Sequence, residues 1–321
     1  MAVQINLFGS PHCLQAGQPL TIHRRKAIAL LAYLAVTARP HGRDTLATLL
    51  WPDYDQSGAR ANLRRDLSYL KGVLGEMVAV SRADVSLIPG DGWRLDTADF
   101  MARLTPGQTH DHASAELCPT CQAALTEAVD LYTGDFMAGF TLPDCPEFDE
   151  WQFFQREGFR QSLAAALQQL IEYNISQEAY GLAAEYGRRW LSLDPLHEPA
   201  HRRLMQLYTW DDQQAAALRQ FEECQRLLAD GLGVAPEAET VTLYEAIKTR
   251  QFAPAAVEQT TSPLTAVTTP QNRYRQDEFL AVGGHGELYH GVDLVTGAPV
   301  VIKRLRPELS QQAPEYVTPC F

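Results

Sequence analysis

The sequence predicts a multidomain chain with an α+β domain, an all-α domain and a short β-rich segment, in that order. Short strand-like and helical stretches alternate at first, a long helical region follows, and strand-like patterning returns near the end. With 321 residues, 45% of them hydrophobic, the chain can bury two or three separate cores. The predicted bounds are 1–100 for the first domain, 101–120 for a connector, 121–252 for the second domain, 253–272 for a linker rich in proline and threonine, and 273–321 for the last segment.

The first domain carries a strand, three helices and a terminal hairpin. The predicted elements are a strand at 3–8, helices at 24–37, 45–50 and 57–75, and a hairpin at 78–95. The sequence Gly90-Asp91-Gly92 supplies the hairpin signal. This order predicts a winged helix-turn-helix, in which the third helix is the one that enters the major groove of DNA.

The third predicted helix has two distinct faces. Its apolar residues share the face that packs into a core, and they are Ala59, Leu63, Leu67, Leu70 and Leu74. A second row, about 100° around the helix, is formed by Arg60, Arg64, Ser68 and Lys71. Asp55 or Ser57 is suited to cap the start of the helix, and Gly75 to end it. This basic segment runs against the formal net charge of the chain, which is −12.

The basic face admits two interpretations. A helix with several basic residues is commonly no more than a solvated surface. As the third helix of a winged helix-turn-helix it would instead contact bases, because arginine pairs with guanine edges and Asn62 can pair with adenine. The candidate base-contacting residues are Arg60, Asn62, Arg64, Arg65, Ser68 and Lys71. The candidate phosphate-contacting residues are Arg24, Arg25, Lys26, Arg82 and Arg94.

The second domain reads as paired helices. Leu193-Asp194-Pro195 stops one helix before the next begins. Such pairing predicts a tetratricopeptide-like stack, although the sequence shows no clear internal repeat at a fixed period. The aromatic residues at helical spacing are predicted to be core, and they are Trp151, Phe154, Phe159, Tyr186 and Trp190. No small-molecule effector is therefore predicted.

One cluster in the connector offers metal ligands. His110, His112, Cys118 and Cys121 lie within twelve residues, and four such ligands can hold zinc tetrahedrally. Only half of the usual paired spacing is present, so a plain loop with no cofactor is the alternative. Metal analysis of the reduced and desalted protein distinguishes these two hypotheses.

The sequence also indicates where the protein resides. Nothing resembles a signal peptide, and no apolar stretch approaches the length of a membrane span. Six cysteines in a chain of this size do not predict a disulfide framework. A cytoplasmic protein without a membrane partner is expected.

Two resemblances extend this interpretation. The segments RRKAIALLAYL (24–34), LWPD (50–53) and ANLRRDLSYL (61–70) resemble the winged-helix domain of bacterial antibiotic-regulatory (SARP-type) transcriptional activators. Five further segments resemble the bacterial transcriptional activation domain that follows in that family, and they are LYTGDF (131–136), FDEW (148–151), LDPLHE (193–198), ALRQF (217–221) and LGVAPE (232–237). The resemblance implies an activator that binds direct repeats in promoter DNA, as a homodimer, and contacts RNA polymerase.

The last segment resembles the start of another protein class. LAVGGHGELY (280–289) and VVIK (300–303) resemble the opening strands of a bacterial serine/threonine protein kinase N-lobe. The implied nucleotide-binding residues are Gly283, Gly284, Gly286 and Lys303. The first glycine position is Ala281, and the catalytic loop and the metal-binding Asp-Phe-Gly are missing. We therefore expect no enzyme activity from this sequence, and ATP binding only as part of a complete kinase.

Three readings of the whole chain follow. The first is a DNA-binding transcription regulator that carries a kinase-like stub. The second is the N-terminal part of a regulator–kinase fusion whose kinase activity needs residues absent here, and the third is a protein-binding scaffold. Salt-dependent DNA binding separates the first from the others, and the gene sequence downstream of Phe321 tests for a fusion. An unrelated hairpin tail is the alternative for the stub.

Overall fold

In this computed structural model, the described residues are 3–88, 90, 92–109, 117–251, 274–283, 286–293, 299–305 and 316–319. The chain divides into two compact units, Met1–Pro254 and Ala255–Phe321, each considered by itself. The predicted linker at 253–272 lies outside the described residues, as do His110 and His112.

The first unit begins with the predicted mixture of strands and helices. The strands are β1 (Val3–Asn6), β2 (His12–Gln15), β3 (Gln18–Leu20), β4 (His41–Gly42), β5 (Val78–Val80), β6 (Asp84–Leu87) and β7 (Trp93–Leu95). The helices are α1 (Arg25–Thr37), α2 (Arg43–Leu50) and α3 (Gln56–Leu74). One sheet has the order β3-β2-β1-β7, with β1 and β7 parallel, and the other has the order β4-β6-β5.

The hairpin differs from its prediction. The paired strands are β5 and β6, and their turn lies at Ser81-Arg82-Ala83, where the Ser81 hydroxyl accepts hydrogen bonds from the amides of Ala83 (3.1 Å) and Asp84 (2.8 Å). The prediction that Gly90-Asp91-Gly92 joins the two strands of the hairpin is wrong, because the strand that follows, β7, pairs with β1 in the other sheet. The hairpin therefore turns at Ser81, whose side chain supports the turn, and not at the glycines.

Helix α3 forms as the sequence predicts. Asp55 is its N-cap, and its carboxylate accepts a hydrogen bond from the Gly58 amide at 3.1 Å. Gly75 follows the last turn with a positive φ of 65°. All five apolar residues of the predicted core face are buried, namely Ala59, Leu63, Leu67, Leu70 and Leu74. The helix is therefore fixed by its underside, and its opposite face is left to solvent.

The rest of the first unit is helical. Its helices are α4 (Asp96–Thr109), α5 (Pro119–Leu131), α6 (Pro146–Ser176), α7 (Tyr180–Leu191), α8 (Glu198–Trp210), α9 (Gln214–Leu232) and α10 (Ala238–Lys248). From α4 to α10 each helix packs against the next along the chain. Helix α4 occupies the first half of the expected connector.

A structural period becomes visible in these helices. Glu178, between α6 and α7, and Asp212, between α8 and α9, both adopt the left-handed backbone conformation, with φ of 56° and 55°. Both turns also close with the same hydrogen bond, from Ala179 N to Asn174 O (2.9 Å) and from Gln213 N to Tyr208 O (2.7 Å). The two turns lie about 34 residues apart, the period of tetratricopeptide repeats. The predicted stack therefore has a repeat in its backbone geometry that is not visible in the amino-acid sequence.

The winged-helix and helical parts of this unit share one hydrophobic core. Phe8, which follows β1, lies at its centre. The Phe8 ring centroid is 5.3 Å from Phe100, 4.6 Å from Tyr132 and 5.3 Å from Phe159. Such aromatic contacts favour edge-to-face and tilted geometries and add to the burial of apolar area. The two parts therefore cannot separate without exposing this cluster.

Backbone hydrogen bonds reinforce that junction. Phe8 forms an antiparallel bridge with Phe136, which lies between α5 and α6. The amide of Met137 donates to the carbonyl of Leu7 at 2.7 Å, and the amide of Gly9 donates to the carbonyl of Asp135 at 3.0 Å. The chain after β1 thus pairs with the chain between α5 and α6 as if the two were neighbouring strands.

The prediction that the aromatic residues of the helical part form core is confirmed for Phe159 and wrong for Phe154. Phe159 is buried, whereas 54% of Phe154 is exposed. Trp151, Tyr186 and Trp190 are partly buried and pack against the core. Phe154 and its exposed neighbour Phe153 contact each other, with ring centroids 5.7 Å apart. The 31-residue helix α6 is long enough to present aromatic residues on more than one face.

A buried histidine makes the stability of this unit depend on pH. His41, in β4, is buried, and its Nε2 lies 2.7 Å from the Thr37 hydroxyl. Because that hydroxyl donates to the Tyr33 carbonyl, it accepts from the Nε2–H of His41. Burial lowers the pKa of His41 from 6.5 to about 4. The unfolded chain therefore takes up a proton between these two pH values that the folded protein does not.

We expect the free energy of unfolding to fall as the pH drops from about 7 to about 4, with a His41 contribution of up to about 3 kcal/mol. In the His41→Gln variant this contribution is absent, so urea unfolding at pH 7 and pH 4.5 should show a smaller loss than in the unsubstituted protein. Equal losses in the two proteins would contradict the burial of a neutral histidine at this position.

The second unit contains a four-stranded antiparallel sheet in the order β11-β10-β9-β8. Its strands are β8 (Tyr274–Gly283), β9 (Gly286–Asp293), β10 (Pro299–Leu305) and β11 (Tyr316–Pro319). The prediction of strands from residue 274 to residue 302 is confirmed. The kinase N-lobe remains a prediction from sequence.

Candidate nucleic-acid interface

Helix α3 presents a continuous exposed face opposite its buried residues. From its second turn to its last, the exposed residues of the helix are Arg60, Ala61, Arg64, Arg65, Ser68, Lys71 and Gly72. Asn62 is half-buried at the edge of this face. The structure thus places all six candidate base-contacting residues at or beside one surface. We call the residues Arg60, Arg64, Arg65, Ser68 and Lys71 the basic face.

The one acidic residue of α3 is turned away from the basic face. Asp66 is buried, and its Oδ1 accepts a hydrogen bond from Arg24 Nη1 at 2.6 Å. The Arg24 guanidinium also lies over the ring of Tyr69, 5.1 Å from the centroid. Arg24 therefore neutralises a buried carboxylate and holds α3 against the start of α1, instead of standing free for phosphate.

Three cations of the basic face have no acidic partner among the residues that the structure describes. Arg64, Arg65 and Lys71 are exposed, and none of them forms an ion pair with a described residue. Their spacing places them along one side of about two helical turns. Arg65 donates a hydrogen bond from Nη1 to Oδ1 of Asn62 at 3.4 Å. Long basic side chains that are not held by an acid can reach both base edges and phosphates, and they release counterions when they do so.

Arg60 differs from these three because it is held by an acid on another helix. Its Nε lies 2.5 Å from Oδ1 of Asp44, and its Nη2 lies 2.6 Å from Oδ2. The hydrogen bonds from Arg60 hold the pKa of the Asp44 carboxyl below its usual value. Asp44 belongs to the first turn of α2, and sequence reasoning did not identify it, because its partner lies 16 residues away.

The two candidate phosphate contacts after α3 lie in different sheets. Arg82 is exposed at the β5–β6 turn, which Arg43 also braces by donating from Nη1 to the Ser81 carbonyl at 3.2 Å. This turn occupies the position of the wing. Arg94 is exposed on β7, opposite Gln4 of β1. The prediction that Arg94 belongs to the hairpin is wrong, because β7 does not pair with β6.

The candidate phosphate contacts Arg25 and Lys26, at the start of α1, bond to the helical part of the protein. Lys26 Nζ lies 2.5 Å from Oδ2 of Asp144, and only 18% of the Lys26 side chain is exposed. Arg25 Nη2 donates to the carbonyl of Thr141 at 2.6 Å. Both partners precede α6 in the helical part. The structure therefore gives Arg25 and Lys26 a role in joining the two parts, which the sequence could not indicate.

Half of the predicted zinc cluster falls on described residues. Cys118 precedes the first residue of α5 and is partly buried, and Cys121 is fully buried in its first turn. Burial raises the pKa of the Cys121 thiol, as does its hydrogen bond with Cys118. Over the described residues, no group of three or more His, Cys, Asp and Glu side chains is arranged to hold a metal. Zinc therefore remains a prediction from sequence.

The glycine-rich motif lies in the second unit. Gly283 ends β8 and pairs with Gly286, which begins β9, whereas Gly284 lies outside the described residues. Lys303 is on β10, opposite Leu288 of β9. The motif thus spans two strand ends of one antiparallel sheet, and its role in nucleotide binding stays a prediction.

The helical part of the first unit is similar to a known domain family. Residues 95–248 match the bacterial transcriptional activator domain. The match begins at the end of β7 and covers α4 to α10, and we call this matched region the activator domain. Because Phe8 packs against three residues of this range, the winged helix and the activator domain are two regions of one packed unit.

Curated relatives extend over both regions. The chain is 27% identical over 271 residues to the transcriptional regulatory protein EmbR of Mycobacterium tuberculosis, an alignment that covers 80% of this chain and 66% of EmbR. It is also 27% identical over 238 residues to the regulatory protein AfsR of Streptomyces coelicolor, covering 73% of this chain and 23% of AfsR. The chain therefore spans a little under two thirds of EmbR and about a quarter of AfsR.

A solved structure shares the fold. The structure of Mycobacterium tuberculosis EmbR in complex with a low-affinity phosphopeptide has a TM-score of 0.62 and 23% sequence identity, and it covers 93% of this chain and 77% of that one. This likeness supports the order of a winged-helix region followed by a helical region. In the described part of our chain, no helix is both long and apolar enough to cross a membrane.

Proposed function

We propose that this protein is a sequence-specific, DNA-binding transcription regulator that inserts α3 into the major groove of promoter DNA. The observation that carries the proposal is the basic face, on which Arg64, Arg65 and Lys71 are exposed without an acidic partner among the described residues. The position of α3 in the order of elements is that of a recognition helix. The formal charge of −12 does not oppose this, because DNA meets the local charge.

Arg82 completes the proposed interface. As the exposed cation of the β5–β6 turn, it contacts a phosphate beside the groove that α3 occupies, and so sets the register of the protein without reading sequence. Arg24, Arg25 and Lys26 are left out of this interface, because all three are engaged within the protein.

The activator domain supplies the second half of the proposed function. Its family description and the names of the relatives support a regulator of transcription. Our proposal adds that this domain activates transcription by contacting RNA polymerase. The shared core fixes the activator domain relative to α3. A protein bound to DNA through α3 therefore presents the activator domain in one orientation, and two copies on direct repeats would present two such domains in register.

Salt-dependent DNA binding tests the first half of this proposal. Neutralising about four phosphates per protomer with Arg64, Arg65, Lys71 and Arg82 should give a slope of log Kobs against log salt of about −3 to −4. Fluorescence anisotropy with a labelled duplex from the region upstream of the gene, between 50 and 200 mM salt, measures this slope. A slope near zero would contradict the proposed interface.

A further inference from the structure

The pair formed by Arg60 and Asp44 has a specific geometry. Asp44 binds the edge of the guanidinium that carries Nε and Nη2, through both of its oxygens. A guanidinium has five N–H groups in one plane, and this pairing uses two of them. The edge formed by Nη1 and the second hydrogen of Nη2 therefore stays available. That remaining edge is a two-donor fork, the arrangement that matches O6 and N7 of guanine.

The supports of this pair are rigid. Asp44 is in the first turn of α2, where the helix dipole favours a negative charge, and Arg60 is in the second turn of α3. The two helices pack against each other and bury residues in the same core, among them Leu46 of α2 and Leu63 of α3. An arginine side chain loses considerable rotamer freedom when it binds a base. Asp44 removes part of that freedom before DNA arrives, which is pre-organisation.

The negative charge of Asp44 lowers the affinity for DNA in general, whereas its hydrogen bonds to Arg60 favour one specific contact. A carboxylate beside the basic face repels the phosphates of every DNA sequence alike. Its presence next to the groove therefore weakens binding in general and strengthens only the contact that Arg60 makes. This combination is the signature of a residue that contributes to specificity.

We propose that Asp44 is a positioning residue that orients Arg60 to read one guanine in the major groove. The proposal rests on the DNA binding proposed above. It assigns Arg60 a different role from Arg64, Arg65 and Lys71, which bind without a supporting acid. It also places a specificity determinant on α2, outside the recognition helix itself.

The test compares base preference with general affinity in five proteins: the unsubstituted protein, Asp44→Asn, Asp53→Asn, Arg60→Ala and the Asp44→Asn/Arg60→Ala double variant. Asp53→Asn is the matched control, because Asp53 is an exposed acid in the turn between α2 and α3 that forms no ion pair with a described residue. Each protein is allowed to select sites from a randomised duplex library, and its affinity for an unrelated duplex is measured.

We expect the unsubstituted protein and Asp53→Asn to select a site with a guanine at one fixed position. Arg60→Ala should lose that preference by on the order of tenfold, and Asp44→Asn should lose it several-fold while binding the unrelated duplex more tightly. Adding Asp44→Asn to Arg60→Ala should change the preference no further. Circular dichroism melting verifies that each variant is folded.

Two outcomes overturn the inference in distinguishable ways. If Asp44→Asn selects the same guanine as strongly as the unsubstituted protein does, the positioning role is wrong while the proposed DNA binding stands. If the unsubstituted protein selects no site and binds no duplex, both proposals fail together.

Discussion

Replacing Arg64 and Arg65 with alanine is expected to weaken binding to cognate promoter DNA by about 2 kcal/mol or more, which is roughly thirtyfold. Both side chains are exposed on the basic face, and neither has an ion pair to lose within the described protein. The folded state should therefore be unaffected, and the whole effect should appear in binding. The slope of log Kobs against log salt should also become shallower by about 1 for each phosphate contact removed.

The control for this experiment replaces two arginines elsewhere. Arg219 and Arg226 are exposed on α9 of the activator domain, so the Arg219→Ala/Arg226→Ala variant removes the same charge from a distant surface. Anisotropy titrations of the three proteins at several salt concentrations give both affinity and slope. Equal losses in the two double variants would show that only net charge matters, and unchanged affinity in Arg64→Ala/Arg65→Ala would remove α3 from the interface.

Replacing Phe8 with alanine is expected to lower the free energy of unfolding by about 3–5 kcal/mol. Its ring is buried between the winged helix and the activator domain and contacts Phe100, Tyr132 and Phe159. Because the two regions share this core, the loss should appear in both at once. Hydrogen exchange measured by mass spectrometry should show similar increases in peptides from α1 and from α5, and urea unfolding should remain a single transition.

Phe154→Ala is the matched control for that substitution. It removes the same ring from an exposed position of the same unit and should change stability by less than about 0.5 kcal/mol. If Phe8→Ala instead increased exchange in α1 alone, the winged helix would be an independently folding domain, and the fixed orientation of the activator domain would be wrong.

Local sequence patterns were sufficient where local physics decides the structure. The apolar spacing from Ala59 to Leu74 predicted the buried face of α3, and Asp55, which caps the helix, was one of the two residues predicted to do so. These features depend on residues three or four apart, which the sequence displays directly. The basic face was predicted for the same reason, because the helical spacing that assigns the apolar residues to the core leaves the basic residues exposed.

Contacts between residues far apart in the sequence could not be predicted from local patterns. Lys26 pairs with Asp144 and Arg24 with Asp66, so two cations that looked suited to phosphate are engaged within the fold. Nothing near Lys26 in the sequence indicates a partner more than 100 residues away. The wing was misplaced for a different reason. Glycines favour turns, but the Ser81 hydroxyl makes a turn of its own, and β7 leaves the hairpin to join β1.

The repeat in the activator domain was hidden from the sequence because it is carried by backbone geometry. Glu178 and Asp212 occupy equivalent left-handed positions, but their neighbours differ in side chain. Helix stacks conserve turn geometry and packing faces more than residue identity, so the period appears only in the folded chain.

The most direct test of the account is capture of genomic DNA by the purified protein, followed by sequencing of the bound fragments. We expect a limited set of fragments from upstream regions that share one repeated motif containing a fixed guanine, and we expect the Arg64→Ala/Arg65→Ala variant to lose that set. The opposite outcome is that the unsubstituted protein recovers fragments in proportion to their abundance in the genome, with no shared motif. That result would contradict the claim that this chain recognises DNA through α3.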